Sequence, residues 1–152
     1  MNHFPEVIQS SIGWVYVLEN KAMPGLVKIG FTTGCPIKRA KALSSPSGIP
    51  SPFILVEGSK VYCARRVEAM AHKMLAMFRV DASREFFKVT SSKAVEVIRL
   101  ADILVCEDVE RESPELFDLV FSTYGVMKWP TCINPGPSMP GVSVPRFFGG
   151  SA

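Results

Sequence analysis

No apolar run in this chain approaches the ~18 to 20 residues that a bilayer-crossing helix needs, so a membrane-spanning protein is not expected. The first residues, Met1-Asn2-His3-Phe4-Pro5-Glu6, lack a basic stretch followed by an apolar one, which argues against a secretory leader. The four cysteines, Cys35, Cys63, Cys106 and Cys132, stand far apart with no C-x-x-C pair, so neither a zinc site nor a disulfide frame is indicated. A soluble, cytoplasmic protein is the expectation.

What the chain does have is enough apolar material for one core. At 152 residues, 47% hydrophobic and 20% charged, it can bury one domain with an appendage but not two full domains. The net charge of +3 conceals an asymmetry. Residues 28–88 hold eleven Lys and Arg against four acids, whereas residues 89–152 hold five against eight. A basic block of this kind attracts polyanions through long-range attraction and counterion release, although Lys and Arg also simply solvate helix faces. The acidic C-terminal part would then dock onto a partner or screen the chain's own basic face.

Residues 12–19 and 26–31 are rich in Val, Ile, Tyr and Trp, with Asn20, Pro24 and Gly25 between them, and read as an antiparallel hairpin. Thr33-Gly34-Cys35-Pro36 breaks the strand and puts proline where a first helical turn tolerates it, predicting a helix over 36–44. A Ser, Pro and Gly-rich loop follows, and then Phe53-Ile54-Leu55-Val56-Glu57, a strand expected to be buried on both faces. The longest helix is expected over about 62–79. Its core stripe would be Val67, Met70, Ala71, Met74 and Phe78, with Glu68, His72, Leu75 and Arg79 along the edge of that face. The methionines read as packing.

Glu85-Phe86-Phe87-Lys88-Val89 reads as a short extended piece. A helix over 92–105 follows, with Ser92 as its cap and Val95, Ile98, Leu100 and Ile103 as apolar positions. Ser113-Pro114-Glu115 opens a last helix to about Tyr124, and the repeated Pro and Gly beyond it predict an irregular, mobile tail. The organisation expected is an N-terminal extension (1–11), a main domain (12–104), a helical extension (105–124) and the tail (125–152).

Tyr16 and Lys28 on the two paired strands of the hairpin, Arg39 on the first helix and Glu68 on the long one are residue types suited to handling a phosphodiester. Six stations carry a more specific likeness: Gly13-Trp14-Val15-Tyr16-Val17-Leu18, Leu26-Val27-Lys28-Ile29-Gly30-Phe31-Thr32, Arg39, Gly48-Ile49-Pro50-Ser51-Pro52-Phe53, Glu68-Ala69-Met70-Ala71-His72 and Arg84-Glu85-Phe86-Phe87. In this order they resemble the GIY-YIG nuclease superfamily, and within it the phage-type branch, over residues 12–104.

The resemblance implies a small α/β domain of the α+β kind, a three-stranded antiparallel sheet flanked by helices, that cuts DNA with one divalent metal ion. It implies that Tyr16 matches the tyrosine of the first motif, Gly30 the glycine of the second, Arg39 the helix arginine and Glu68 the metal-binding glutamate. A glutamate oxygen is a hard ligand suited to Mg²⁺ or Mn²⁺, which retain waters and take further oxygens from phosphate. Arg39 would offer a permanently charged fork to the phosphoryl oxygens. Tyr16 would take a proton from the attacking water, a task for which its ordinary pKa of about 10 is high.

The sequence departs from the superfamily pattern where Lys28 stands in place of the second motif's leading tyrosine. Lys28 would lie near the Tyr16 phenol and lower its pKa, hold a phosphate, or snorkel at a sheet edge. Many members place an asparagine after the metal-binding glutamate; the only asparagine downstream of Glu68 is Asn134, in the irregular tail, and it is assigned no role. The phenylalanines of Arg84-Glu85-Phe86-Phe87 read as core, with Glu85 supporting a basic residue or the metal shell. His72, one turn after Glu68, reads as a supporting partner, a proton donor to the leaving group or a half-buried structural histidine. Lys38, Lys41, Arg65 and Arg66 read as phosphate contacts or as surface charge.

The expected function is a metal-dependent endonuclease acting on DNA. The alternatives are a DNA-binding module of the same fold that no longer cuts, and an assembly module. A homodimer, or a protein partner met through the C-terminal region, stays open. No zinc finger or helix-turn-helix is recognisable that would read a DNA sequence.

Overall fold

The computed structural model describes residues 12–124 and 131–132. The hairpin forms as its sequence predicts, with β1 at Gly13–Asn20 and β2 at Val27–Thr32 paired antiparallel so that Tyr16 lies opposite Gly30 and Leu18 opposite Lys28. Its connection is tied down by Asn20, which is 4% exposed. The Asn20 side-chain oxygen accepts from the Ala22 N–H at 2.9 Å, and its amide donates to the Ser51 carbonyl at 2.7 Å. Gly25 supplies the positive φ, +79°, that the turn needs.

Helix α1 spans Pro36–Ser44, as the proline predicts. Strand β3 spans Phe53–Val61, four residues longer than its apolar run, and pairs antiparallel with the other side of β1. Its register slips between Val17 and Leu18, leaving Val56 unmatched in the manner of a bulge. Beyond it come α2 at Ala64–Met74, a 3-10 turn at Ala76–Phe78, strand β4 at Phe86–Phe87, α3 at Ser91–Glu112 and α4 at Pro114–Tyr124. The tail contributes strand β5 at Thr131–Cys132, paired to Gly58 and Ser59 of β3; the rest of the expected irregular tail lies outside the described residues.

The sheet order is β4-β2-β1-β3-β5, so the expected three strands are the centre of a five-stranded antiparallel sheet whose two outermost strands are two residues each. Alternation along the strands builds two cores. Val15, Val17, Val27, Ile29 and Val61 meet α2 and α3 through Val67, Ala71, Ile98 and Val105, while Tyr16, Leu18 and Leu55 meet α1 through Ala40, Ile37 and Leu43. It is β1 that is buried on both faces; of the run 53–57, expected to be so, only Leu55 is buried and the others are half-buried.

Both long helices depart from their sequence expectations. The helix expected over 62–79 ends at Met74, because Leu75 leaves the helical region (φ −100°, ψ 12°) and is buried. Phe78 therefore lies outside the core stripe, at 42% exposure. The helix expected over 92–105 runs to Glu112 and is capped by Thr90, whose hydroxyl accepts from the Lys93 N–H at 3.2 Å, rather than by Ser92. Its inner face is Ala94, Val97, Ile98, Ala101, Val105 and Val109, chosen by contact with α2 and α4, which leaves Leu100 and Ile103 exposed. The boundary set at residue 104 thus falls inside α3. Among the described residues no helix is long and apolar enough to cross a membrane.

Candidate functional site

The free part of the β2 edge, next to the two-residue β4, is where the sheet and α2 bring charged groups together. Tyr16 is 1% exposed and lies on the α1 face. Its ring covers Gly30 so closely that a Cβ there would sit 2.6 Å from the phenol oxygen and 2.8 Å from Cζ. Glycine is required at this position by space, since its φ is not positive.

Burial raises the Tyr16 pKa above its usual value of 10.0, and hydrogen bonding and charge from Arg39 act against that rise. Arg39 projects from the exposed side of α1, one residue before the buried Ala40, so the helix that packs on Tyr16 also brings the guanidinium to it. Of the settings open to Lys28, contact with the Tyr16 phenol is not the one formed, and Glu85 supports a basic residue as its station allowed. The Lys28 ammonium donates to Glu85 Oε2 at 2.5 Å and stands 5.5 Å from the centre of the Phe86 ring. Lys28 therefore neutralises Glu85, and Arg39 is the cation at the phenol.

Glu68 and His72 reach this edge from α2, each with a side chain only 12% exposed. Burial, and next the negative charge of Glu85, push the Glu68 carboxyl from 4.5 to about 7, against the opposing pull of Lys28, Arg65 and Arg79. His72 donates from Nε2 to the Ile29 carbonyl at 2.9 Å, which fixes its tautomer, while Glu68 Oε1 lies 3.9 Å from the same nitrogen, beyond a hydrogen bond. Burial lowers the His72 pKa, so the ring is neutral at neutral pH, and it packs on Phe87 at 5.0 Å between centroids. Of the roles open to His72, supporting the β2 edge is the one its hydrogen bond serves; a proton donor to a leaving group would need that Nε2–H free.

The basic residues divide into two groups. Lys38 and Lys41 are exposed on α1 beside Arg39, and Arg65 is exposed on α2 with its guanidinium 5.6 Å from the Phe31 ring. Arg66 is instead forked onto Glu112 at 3.0 and 3.1 Å, so part of the acidic C-terminal segment screens part of the basic face. Arg79 was placed by periodicity on the long helix, yet it follows the 3-10 turn, donates from Nε to the Arg84 carbonyl at 2.8 Å and still acts on both Glu68 and His72. Its place depends on the pairing of residue 79 with Phe87, which local periodicity does not encode.

The hard oxygen donors here are the carboxyls of Glu68 and Glu85. Among the described residues no group of three or more His, Cys, Asp or Glu side chains is gathered for a metal. A family model described as the T5orf172 domain matches residues 13–102 of the chain. No curated protein and no solved structure matches it.

Proposed function

Because the chain belongs to the T5orf172 domain family, a nuclease-like, DNA-associated fold, we propose that it is a GIY-YIG-type endonuclease of the phage-type branch that hydrolyses DNA phosphodiester bonds with a divalent cation. The observation that carries this reading is that the Tyr16 ring, hydrogen-bonded by Arg39 of α1, lies over Gly30, while α2, which bears Glu68, reaches the neighbouring Ile29 carbonyl through His72 at 2.9 Å.

A divalent cation suits this donor set. Mg²⁺ and Mn²⁺ accept a single protein carboxylate and fill their remaining positions with water and phosphate oxygens, so no all-protein cage is needed. Glu68, whose buried charge lacks full compensation, would hold the ion, which when bound supplies positive charge to the phosphoryl oxygens and to a nearby water. Glu85 lies close enough to raise the Glu68 pKa, and its own charge is met by Lys28.

Arg39 directs its fork toward the charge that grows on the non-bridging oxygens; removing such a contact costs on the order of 3 to 4 kcal/mol of transition-state stabilisation. Tyr16 keeps its proton at neutral pH. Its part before attack is to hold Arg39 and the water in line, and it accepts the water's proton more effectively as pH rises toward its own raised pKa. His72 holds the β2 backbone at Ile29 and so keeps Gly30 under the Tyr16 ring. Lys38, Lys41 and Arg65 contact flanking phosphates. One site cuts one strand, so a double-strand cut takes two protomers or two visits.

A second reading, a DNA-binding module that no longer cuts, is favoured by one observation: Lys28 is engaged by Glu85 and does not ease ionisation of Tyr16. Supercoiled plasmid incubated with Mg²⁺ or Mn²⁺ separates the two. Nicking by the natural protein and its loss in Glu68→Gln supports the nuclease. Salt-sensitive DNA binding with no nicking supports the binding module, and equal nicking by both proteins overturns the assigned site.

A further inference from the structure

The 3-10 turn after α2 exposes apolar side chains beside the site. Met77 is 84% exposed, Phe78 42% and Val80 56%, all within four residues of sequence. Three exposed apolar side chains in the turn and the two residues after it mark a contact surface.

The turn is held firmly. Leu75, at 1% exposure, anchors its start, and the Phe78 N–H donates to the Leu75 carbonyl at 2.9 Å. The Lys88 N–H donates to the Phe78 carbonyl at 2.8 Å, and the Val80 N–H to the Phe86 carbonyl at 3.0 Å. The backbone below Met77 and Phe78 is thus stitched to β4, the strand beside Lys28. The next residue, Arg79, holds its guanidinium 5.8 Å from the centre of the Phe87 ring, on which His72 packs at 5.0 Å, and this puts the apolar tip beside the His72 end of the site.

The surrounding charge identifies the partner. Lys73, Arg79, Arg84 and Lys88 flank the turn in sequence, the Lys88 N–H donating to its Phe78 carbonyl, against two acids: Asp81, held by the Ser83 N–H and hydroxyl at 2.7 and 2.6 Å, and Glu85, neutralised by Lys28. An apolar tip in a basic surround suits a polyanion with flat apolar faces, as a nucleic acid has where its bases are unstacked. The exposed Leu100, Ile103 and Leu104 of α3 carry no such signature, because the cation beside them, Arg99, is paired with Glu57 at 3.2 Å while Asp102 and Glu107 lie within and after the segment.

We propose that Met77 and Phe78 form a wedge that packs against unstacked bases next to the scissile phosphate, so that the preferred substrate is DNA already unpaired near the cut. This rests on the DNA-handling part of the proposed function and deepens it by naming a substrate class. A rigid wedge pays less ordering entropy than a mobile loop, and pre-opened DNA removes the unstacking cost.

The test measures binding without divalent cation, so that nothing is cut, to a duplex and to the same duplex with a short unpaired bubble carrying 2-aminopurine. The natural protein should bind the bubble about tenfold more tightly and quench its fluorescence. Met77→Ser and the pair Met77→Ser/Phe78→Ser should lose that preference while keeping duplex affinity within about twofold, which phosphate contacts maintain. Met77 is too exposed for its loss to unfold the protein, which circular dichroism checks.

Equal affinity of the natural protein for both DNAs overturns the wedge, as does a preference that survives in the double variant. Binding to anionic phospholipid vesicles that depends on Met77 and Phe78, with no bubble preference, also overturns it and assigns the patch to a membrane surface. Plasmid nicking without bubble preference overturns the wedge alone. Bubble preference without nicking upholds the wedge and overturns hydrolysis.

Discussion

The phenol of Tyr16 lies across the α-carbon of Gly30, so near that a methyl group there would approach its oxygen to 2.6 Å. The two residues are direct partners in the β1–β2 register, so the contact is fixed by the hairpin itself. Gly30→Ala must displace the ring, and with it the alignment to Arg39. We expect a loss of about 1 to 3 kcal/mol in urea denaturation, the range for overpacking, together with loss of plasmid nicking. In a Tyr16→Ala background the same glycine substitution should cost little, because nothing remains to clash.

Lys28 and Glu85 should tune Glu68 in opposite directions. Removing Lys28 as Lys28→Met takes away a cation that lowers the Glu68 pKa, so the acid limb of the pH–rate profile moves to higher pH. Removing the charge of Glu85 as Glu85→Gln takes away an anion that raises it, so the limb moves to lower pH. Nicking rates from pH 5 to 9 check both signs, and a shift in the same direction for both variants contradicts the arrangement.

Glu68 is held against the preference of the fold. Its pKa stands at about 7 in the folded protein against 4.5 for the free side chain, so between those values the native state binds more protons than the unfolded chain, and stability falls as pH rises through that window. The penalty for the ionised form is at most about 3 kcal/mol, and about 1 to 2 after solvent screening. Glu68→Gln should therefore raise the thermal midpoint at pH 8 while abolishing nicking. Added Mn²⁺ should stabilise the natural protein and leave the variant unchanged.

Arg66 is spent on Glu112, and the pair is exposed on both sides, at 43% and 60%. Glu112→Ala should cost less than about 1 kcal/mol of stability. It should release Arg66 to phosphate, tightening duplex binding and steepening the dependence of log K on log salt by about one. Anisotropy titrations across salt concentrations give the slope; an unchanged slope means that Arg66 lies outside the DNA path.

The hairpin and α1 were legible because their signals are local: β-branched runs around a turn, then a proline at the first helical position. Tyr16 and Gly30 were legible as motif stations, although the reason for glycine, a ring lying over it, needed the fold. The end of α2 was not legible. The apolar period continues through Phe78, while the chain breaks at Leu75 so that Phe86 and Phe87 can return to β2, a pairing set at long range. The Lys28–Glu85 contact spans 57 residues and escapes any local pattern, although Glu85 could be read as a support for some basic residue. On α3 the apolar positions Val95, Ile98, Leu100 and Ile103 do not share one helix face, and the helices packed beside it bury the face through Ile98, Ala101 and Val105.

In the proposed nuclease Arg39 and Glu68 serve one hydrolytic site, reached by α1 and α2 from opposite faces of the sheet. A double-mutant cycle on the initial rate of plasmid nicking tests it most directly, using the natural protein, Arg39→Ala, Glu68→Gln and the double variant. Residues that act as a unit give non-additive losses. Each single variant should fall by about 100-fold or more, and the double variant should be little worse than the weaker single. Single variants that nick like the natural protein, or losses that multiply in full, would contradict a shared site.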